Sequence, residues 1–224
     1  MNQAKTDTGA TPLYIASENG NLDVVHYLAG EAHADVNQAK IDTGSTPLFI
    51  AAQNGNLDVV RYLAGEAHAD VNQARTDTGI TPLYVAAEMG NLDVVRYLAG
   101  EAHADVNQAT TDDGSTPLYI AAGMGNLDVV RYLAGEGHAD VNQARTNTGA
   151  TPLIIAAQKG NLDVVRYLAG EGHANVNQAR TNDGCTPLYI AAENGNLDVV
   201  RYLAGEAHAN VNQATTDDGT TPLH

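Results

Sequence analysis

The chain has 224 residues, a formal net charge of −16 at pH 7, no tryptophan and a single cysteine, Cys185. One cysteine permits no intramolecular disulfide and nothing requires an oxidising compartment, so we expect an intracellular, cytoplasmic protein. The acidic charge would repel a phosphate backbone and anionic lipid, and no stretch approaches the roughly 18 apolar residues that a membrane span needs. We therefore expect neither nucleic acid nor membrane as a partner.

A unit of 35 residues is repeated six times along the chain. Each copy opens with Thr-Pro-Leu, first at Thr11 and last at Thr186. We place the repeats at residues 11–45, 46–80, 81–115, 116–150, 151–185 and 186–220. Residues 1–10 then form the tail of a preceding repeat, and 221–224 the start of a truncated one. A fixed period of this size indicates a solenoid, so we expect one elongated domain that functions through its surface.

The second repeat shows how each unit folds. Thr46 and Pro47 open a helix, because the threonine hydroxyl can cap free amides and proline at the first helical position loses no hydrogen bond. This short apolar helix stops before Gly55, which supplies a left-handed cap. Asn56 caps a second helix, whose Leu-Asp-Val-Val-Arg-Tyr-Leu sequence has a broad apolar face. Residues 73–79 are polar and rich in turn formers, which predicts an exposed hairpin-like loop before the next repeat.

Taken together, these motifs resemble the ankyrin repeat. The resemblance rests on Thr-Pro-Leu-x-x-Ala-Ala, a glycine after the first helix, Asn-Leu-Asp-Val-Val-Arg-Tyr-Leu in the second helix and Ala-Asp-Val-Asn after it, and it covers every repeat. It implies an all-α fold, an ankyrin-like helix-turn-helix solenoid with hairpin-like loops between units. Two features depart from the family pattern. The period of 35 residues exceeds the usual period of about 33, and residues such as Tyr14, Phe49 and Ile154 stand where the motif has histidine.

The resemblance also implies a non-enzymatic module that binds another protein through the concave face made by its loop tips and first helices. The repeats differ from one another mainly at these positions, whereas Leu57, Val60, Tyr62 and Leu63 have identical counterparts in every repeat. Drift at unconstrained surface sites would produce the same pattern. On the functional interpretation, the partner-binding residues are Tyr14, Lys40, Ile41, Phe49, Gln53, Arg75, Tyr84, Glu88, Met89, Thr111, Tyr119, Met124, Arg145, Lys159, Arg180 and Tyr189.

Cations recur in the loops of this acidic chain, at Lys5, Lys40, Arg75, Arg145 and Arg180. In one interpretation they line one rim of the binding groove. In the other, which we favour for most of them, they are solvated charges that maintain solubility.

Six histidines recur once per repeat, at His33, His68, His103, His138, His173 and His208. Neighbouring copies should lie about a helix diameter apart, roughly 10 Å, which is too far to share one metal ion. The chain has no HExxH motif, no phosphate-binding loop and no nucleophile elbow. We therefore expect no enzymatic activity, no metal and no cofactor.

We expect these histidines to end the second helices. Each stands where the ankyrin pattern has a glycine that often adopts the left-handed conformation, and histidine is enriched among the other residues found there. In one interpretation Gly65 lies inside the last turn of a slightly longer helix. In the other, the helix ends at Gly65 and Glu66-Ala67-His68 form a loop. We favour the first.

The sequence leaves the origin of the array open. No outer repeat has its apolar positions replaced by polar residues, so we expect that dedicated solenoid caps are absent. The array is then either a segment of a longer one or an engineered set of repeats, and the alternative function is a structural spacer or scaffold without a natural ligand. Apolar side chains exposed at the two ends predict weak end-to-end self-association.

Overall fold

The computed structural model describes residues 9–216 and 220–221. Over these residues every regular element is helical, which confirms the all-α class. The chain divides between Asp112 and Asp113 into two compact units. Each of the six predicted repeats contributes one pair of helices, three pairs to each compact unit.

The helices of the first compact unit are α1 (Pro12–Glu18), α2 (Leu22–His26), α3 (Pro47–Gln53), α4 (Leu57–Arg61), α5 (Pro82–Met89) and α6 (Leu92–Arg96). Those of the second compact unit are α7 (Pro117–Met124), α8 (Leu127–Ala134), α9 (Pro152–Lys159), α10 (Leu162–Ala169), α11 (Pro187–Glu193) and α12 (Leu197–Arg201). In α2, α4, α6 and α12 the helix continues into a wider π-type turn, at Tyr27–Glu31, Tyr62–Glu66, Tyr97–Glu101 and Tyr202–Glu206.

The first helix of each repeat begins as the sequence predicts. Thr46 is the N-cap of α3, and its hydroxyl oxygen accepts a hydrogen bond from the Phe49 N–H at 3.1 Å. Pro47 takes the first helical position, and the other first helices open with the same Thr-Pro pair. Gly55 follows α3 with a φ of 72°, a conformation that residues with a Cβ adopt only under strain.

The asparagine before each second helix has a different role from the one predicted. Asn56 occupies the N-cap position of α4, but its side chain makes no capping hydrogen bond to that helix. Its Nδ2 donates instead to the Ser17 and Glu18 carbonyls, at 2.9 and 3.1 Å, which need donors because they lie at the carboxyl end of α1. The same pair of bonds to a preceding repeat is made by Asn91, Asn161 and Asn196.

Each repeat buries its apolar residues partly within itself and partly against its neighbour in the same compact unit. Val60 and Leu63 of the second repeat are completely buried. Ile50 packs with Ala10, which lies just before the first repeat, and with Tyr14, which lies in α1 of the first repeat. Burying a side chain of this size stabilises the fold by about 1.5–3 kcal/mol. The repeat interface is therefore the main stabilising contact on the face of α3 that carries Ile50.

The recurring histidines end the second helices in the left-handed region, with φ between 53° and 57°, as predicted. The helix end before them takes two forms. In all six repeats an N–H donates to a carbonyl five residues back at this end, as Ala67 does to Tyr62 and Gly137 does to Tyr132. In the four repeats with Glu-Ala-His the whole segment forms a wide π-type turn, so Gly65 lies inside it. In the two repeats with Glu-Gly-His, α8 and α10 end at Ala134 and Ala169, as the second interpretation requires.

Candidate functional site

A hairpin-like loop precedes each first helix from α3 onwards, as the sequence predicts. In the first repeat's loop, which precedes α3, the Lys40 N–H donates to the Ser45 carbonyl and the Gly44 N–H donates to the Lys40 carbonyl, both at 2.8 Å. These bonds close the tip and leave Ile41 84% exposed. The loops that start at Arg75, Arg145 and Arg180 close with the same two bonds.

The predicted cations and aromatic residues of the first compact unit contact each other. The Lys40 Nζ lies 6.0 Å from the centroid of the Tyr14 ring, and the Arg75 guanidinium carbon lies 5.7 Å from that of Phe49. The ring quadrupole attracts each cation, which fixes the loop over the first helix of its own repeat.

The aromatic rings lie beneath the surface on which the sequence places them. Tyr14, Phe49, Tyr84 and Tyr119 are buried, and Tyr189 is half-buried, because the loops pack over them. Burial raises the pKa of Tyr119 to about 12, with the nearby Arg180 charge acting in the opposite direction. Burial also raises the pKa of Tyr14. These residues therefore support the loops and offer little surface to a partner.

Lys40 and Arg75, the loop cations that the structure describes in the first compact unit, are each neutralised within their own loop. The Lys40 Nζ lies 3.0 Å from Asp42 Oδ2, and an Arg75 terminal nitrogen lies 2.6 Å from Asp77 Oδ2. Hydrogen bonds from Lys40 and Arg75 hold the pKa values of Asp42 and Asp77 below their ordinary range. A positively charged rim is therefore not formed at these loops, and Lys5 lies outside the described residues.

In the second compact unit Arg145 is paired with the preceding loop. Its own loop has Asn147 where the Arg75 loop has Asp77, and the guanidinium instead forms an ion pair with Asp113. A second terminal nitrogen donates to the Tyr119 hydroxyl at 3.3 Å, and the guanidinium carbon lies 5.1 Å from that ring centroid. Arg145 is thus held by three groups that all lie before it in the chain.

The next loop has Asn182 at the corresponding position, and Arg180 pairs with Asp183. The Arg180 Nε–H donates to Asp183 Oδ1 at 3.1 Å, and the same oxygen accepts the Cys185 N–H at 3.0 Å. Burial alone would raise the pKa of Asp183, but these hydrogen bonds outweigh it and lower the pKa. Burial and the Asp183 carboxylate raise the pKa of the Cys185 thiol to about 11, so it is protonated and unreactive at neutral pH.

The other predicted residues remain at the surface, and we call them the loop-tip face. The first compact unit contributes Ile41, Met89 and Thr111, which are exposed, and Gln53 and Glu88, which are half-buried. The second contributes the exposed Met124 and Lys159. Both methionines expose at least half of their surface, Met89 50% and Met124 58%.

Comparisons with known proteins agree with this architecture. A family profile described as "Ankyrin repeats (3 copies)" matches residues 32–110, 69–145, 102–180 and 173–224, and one described as "Ankyrin repeat" matches residues 8–41. The chain belongs to the ankyrin-repeat family. Ankyrin-repeat domains generally mediate protein–protein interaction, and the family is typically non-enzymatic.

The predicted ankyrin-type solenoid is also confirmed by a solved structure. The crystal structure of the ankyrin repeat domain of Bcl-3, a member of the IkappaB protein family, is similar to this ankyrin-repeat chain with a TM-score of 0.83 and 28% sequence identity. The match covers 97% of this chain and 94% of that one. Among curated proteins no match is found.

Sequence reasoning missed one exposed position of the ankyrin loops. The tip residue two places after Lys40, Arg75, Thr110, Arg145 or Arg180 is Asp42, Asp77 or Asp112 in the first compact unit and Asn147 or Asn182 in the second, and all five are exposed. The alternation between a carboxylate and an amide was visible in the aligned repeats. The position was overlooked because its pairing with the cation depends on contacts that the alignment does not show.

Residues 9–216 and 220–221 contain no group of three His, Cys, Asp or Glu side chains placed to hold a metal ion. None of the helices in this part of the ankyrin-repeat chain is long and apolar enough to cross a bilayer.

Proposed function

We propose that this ankyrin-repeat chain is a non-enzymatic module that binds a protein partner through its loop-tip face. The supporting observation is the exposure of large apolar side chains at positions where the repeats differ: Ile41 is 84% exposed, Met89 50% and Met124 58%. Methionine adapts its shape to a partner and is frequent at protein-binding surfaces. The identical apolar positions Val60 and Leu63 are completely buried, so exposed positions that vary are free to specify a partner.

The pairing of the loop cations supports the same role. Lys40 with Asp42 and Arg75 with Asp77 fix the loops over buried rings before any partner arrives. A surface that is already ordered loses less conformational entropy on binding. The Ile41 side chain, in the same tip as Lys40, is thereby presented on an ordered loop.

The chemistry of the chain favours an intracellular protein as the partner. Cys185 is its single cysteine and is buried as a free thiol, which suits a reducing compartment. The net charge of −16 makes nucleic acid and anionic membrane unfavourable ligands.

Affinity capture with matched variants tests the proposal. The full chain is immobilised and incubated with a lysate of its source cell, and the bound proteins are compared for four double variants. The loop-tip variants are Ile41→Ser with Met89→Ser and Met124→Ser with Lys159→Ser. The controls, at exposed positions on second helices, are Asp58→Ser with Asp93→Ser and Asp128→Ser with Asp163→Ser.

We expect one or both loop-tip variants to lose the partner by about tenfold or more in affinity, because truncating a central contact costs more than about 1.4 kcal/mol. The second-helix controls should retain it. Equal losses from loop-tip and control variants would contradict the proposed face. If the unmodified chain captures no partner, the alternative of a structural spacer or engineered scaffold is favoured.

A further inference from the structure

The first repeat leaves one apolar face uncovered. A groove of about 330 Å³ lies there, lined in part by Pro12, Ile15 and Val24. Ile15 is 36% exposed and Val24 47% exposed. One repeat further along, the corresponding Ile50 and Val59 are 7% and 1% exposed, since the preceding repeat covers them.

Two polar side chains on this face match groups that bind the preceding repeat elsewhere. Asn21 is exposed, whereas its counterpart Asn56 donates two hydrogen bonds to carbonyls of α1. Tyr27 is 51% exposed. Its counterpart Tyr97 donates its hydroxyl proton to the Arg61 carbonyl at 3.3 Å and lies 5.6 Å beneath that guanidinium. The first repeat therefore presents a complete set of repeat-binding groups, and among the described residues no preceding repeat meets them.

The sixth repeat exposes the complementary surface, which in the second repeat is covered by the repeat that follows. Leu197 is 56% exposed, and Ala192 and Val200 are half-buried. The corresponding Ala52 and Val60 are completely buried, because the next repeat covers them. Residues 192–201 read Ala-Glu-Asn-Gly-Asn-Leu-Asp-Val-Val-Arg, and residues 17–26, which cover the second repeat, differ from them only at the first and last positions.

We infer that the first repeat of one copy binds the sixth repeat of another, head to tail, through the contact that joins neighbouring repeats within each compact unit. Ile15 packs against Tyr189 of the second copy, as Ile50 packs against Tyr14. The Asn21 amide donates to the carbonyls of Ala192 and Glu193 of that copy. Tyr27 lies beneath its Arg201, as Tyr202 lies 5.7 Å beneath Arg166.

The contact is heterologous, because two different surfaces meet, so further copies add to each free end and the assembly does not close as a twofold dimer. Residues 2–10 have the same register in the repeat as 212–220, and 11–14 the same register as 221–224. Where two copies join, residues 2–10 of one copy compete with residues 212–220 of the other for the same place in the stack, and residues 221–224 compete with residues 11–14. This competition weakens the contact. We expect association at high protein concentration. It does not depend on partner binding by the loop-tip face.

Sedimentation equilibrium of the full chain tests this contact. The average mass should rise above the monomer mass of 23.4 kDa as the concentration approaches millimolar. Val24→Glu blocks the exposed face of the first repeat, and Leu197→Glu blocks the exposed face of the sixth repeat. Either substitution should lower the association constant by about tenfold or more, because it places a charge in an apolar contact. Ile41→Glu places a charge at a position that is 84% exposed and is not among the residues that line either face, so it should leave the association constant unchanged.

Mixing the two blocked variants distinguishes this geometry from any other. Each retains one intact face, so a mixture should form one-to-one dimers and nothing larger, while each variant alone stays monomeric. Both substitutions are at exposed positions, and far-UV circular dichroism confirms that the variants are folded. Asn21→Ala removes only an exposed amide and should also weaken association. A strictly monomeric unmodified chain, a mixture that stays monomeric, or a loss from Val24→Glu without one from Leu197→Glu would overturn the inference.

Discussion

The loops of the two compact units use similar residues in different pairings. In the first unit Lys40 and Arg75 each pair with the aspartate two residues further along their own loop. In the Arg145 and Arg180 loops of the second unit that aspartate is replaced by Asn147 and Asn182. An amide oxygen carries no formal charge and attracts a guanidinium much less than a carboxylate does.

Arg145 and Arg180 therefore pair with other carboxylates. Arg145 pairs with Asp113 in the preceding loop, and Arg180 pairs with Asp183, one residue beyond the asparagine. A loop with its own aspartate at either of two tip positions is thus tied to itself, whereas the Arg145 loop, which has Asn147 and Thr148 there, is tied to its neighbour. The fold is the same in both compact units, but the tips differ in charge and in attachment.

The largest expected effect of this difference is on stability. Asp113→Asn keeps an acceptor for the Ser115 N–H but removes the charge that pairs with Arg145, and both side chains are about three-quarters buried. We expect Asp113→Asn to lower the free energy of unfolding by about 1–2 kcal/mol, which lies between the values for surface and buried ion pairs. The matched Asp77→Asn, whose aspartate is more exposed, should cost less. Urea denaturation followed by circular dichroism measures both, and equal losses would contradict the comparison.

A second prediction asks whether the tip position itself decides the pairing. Asn147→Asp gives the Arg145 loop the residue that the Arg75 loop has. In the Asp113→Asn background, Asn147→Asp should raise the free energy of unfolding by about 0.5–1 kcal/mol, because Arg145 can then pair within its own loop. A double-mutant cycle of unfolding free energies measures the coupling. Additive effects of the two substitutions would show that the tip does not control the choice.

The smallest effect is a pH dependence of the first unit's loops. Hydrogen bonds from Lys40 and Arg75 lower the pKa values of Asp42 and Asp77. A carboxylate with a lowered folded pKa contributes stability above its unfolded pKa of about 4, and that stability is lost as pH falls through the folded value. Carbon-detected NMR should find both carboxylates titrating below their ordinary range, and Arg75→Met should return Asp77 alone to it. An unchanged Asp77 titration in Arg75→Met would contradict the pairing.

Features set by local chemistry could be predicted from the sequence. Thr46 with Pro47 opens a helix, Gly55 adopts a positive φ and His68 ends the second helix in the left-handed region. Each of these depends on a residue's own conformational preferences and on neighbours within one turn. The six-fold repetition then extends each prediction to the whole array.

Features set by contacts between residues far apart in the chain could not be predicted in this way. Asn56 is a good capping residue by type, yet its amide binds carbonyls of the preceding repeat. Tyr14 looks like a surface residue in a variable position, yet the following loop buries it. Both outcomes depend on a neighbour about 26 to 39 residues away, whose placement only the stacked structure shows.

The two forms of the second-helix end show how small the deciding difference can be. A methyl group at Gly137 would lie 3.0 Å from Leu133 Cα, so the tight ending of α8 suits glycine. The repeats with alanine at this position have the wider turn, which gives the methyl group room. Neither of the two sequence interpretations holds for all six repeats, because one methyl group selects between them.

Site-specific photo-crosslinking tests the proposed binding face most directly. A benzophenone amino acid is placed at Met89 or Met124 of the loop-tip face, or at Arg61 or Arg166 on the exposed surface of second helices, and the full chain is irradiated in a lysate of its source cell. We expect a discrete crosslinked protein from one or both methionine positions and none from the arginine positions. The same crosslinked protein appearing with equal yield from Arg61 and Arg166 would contradict the claim that the loop-tip face binds the partner.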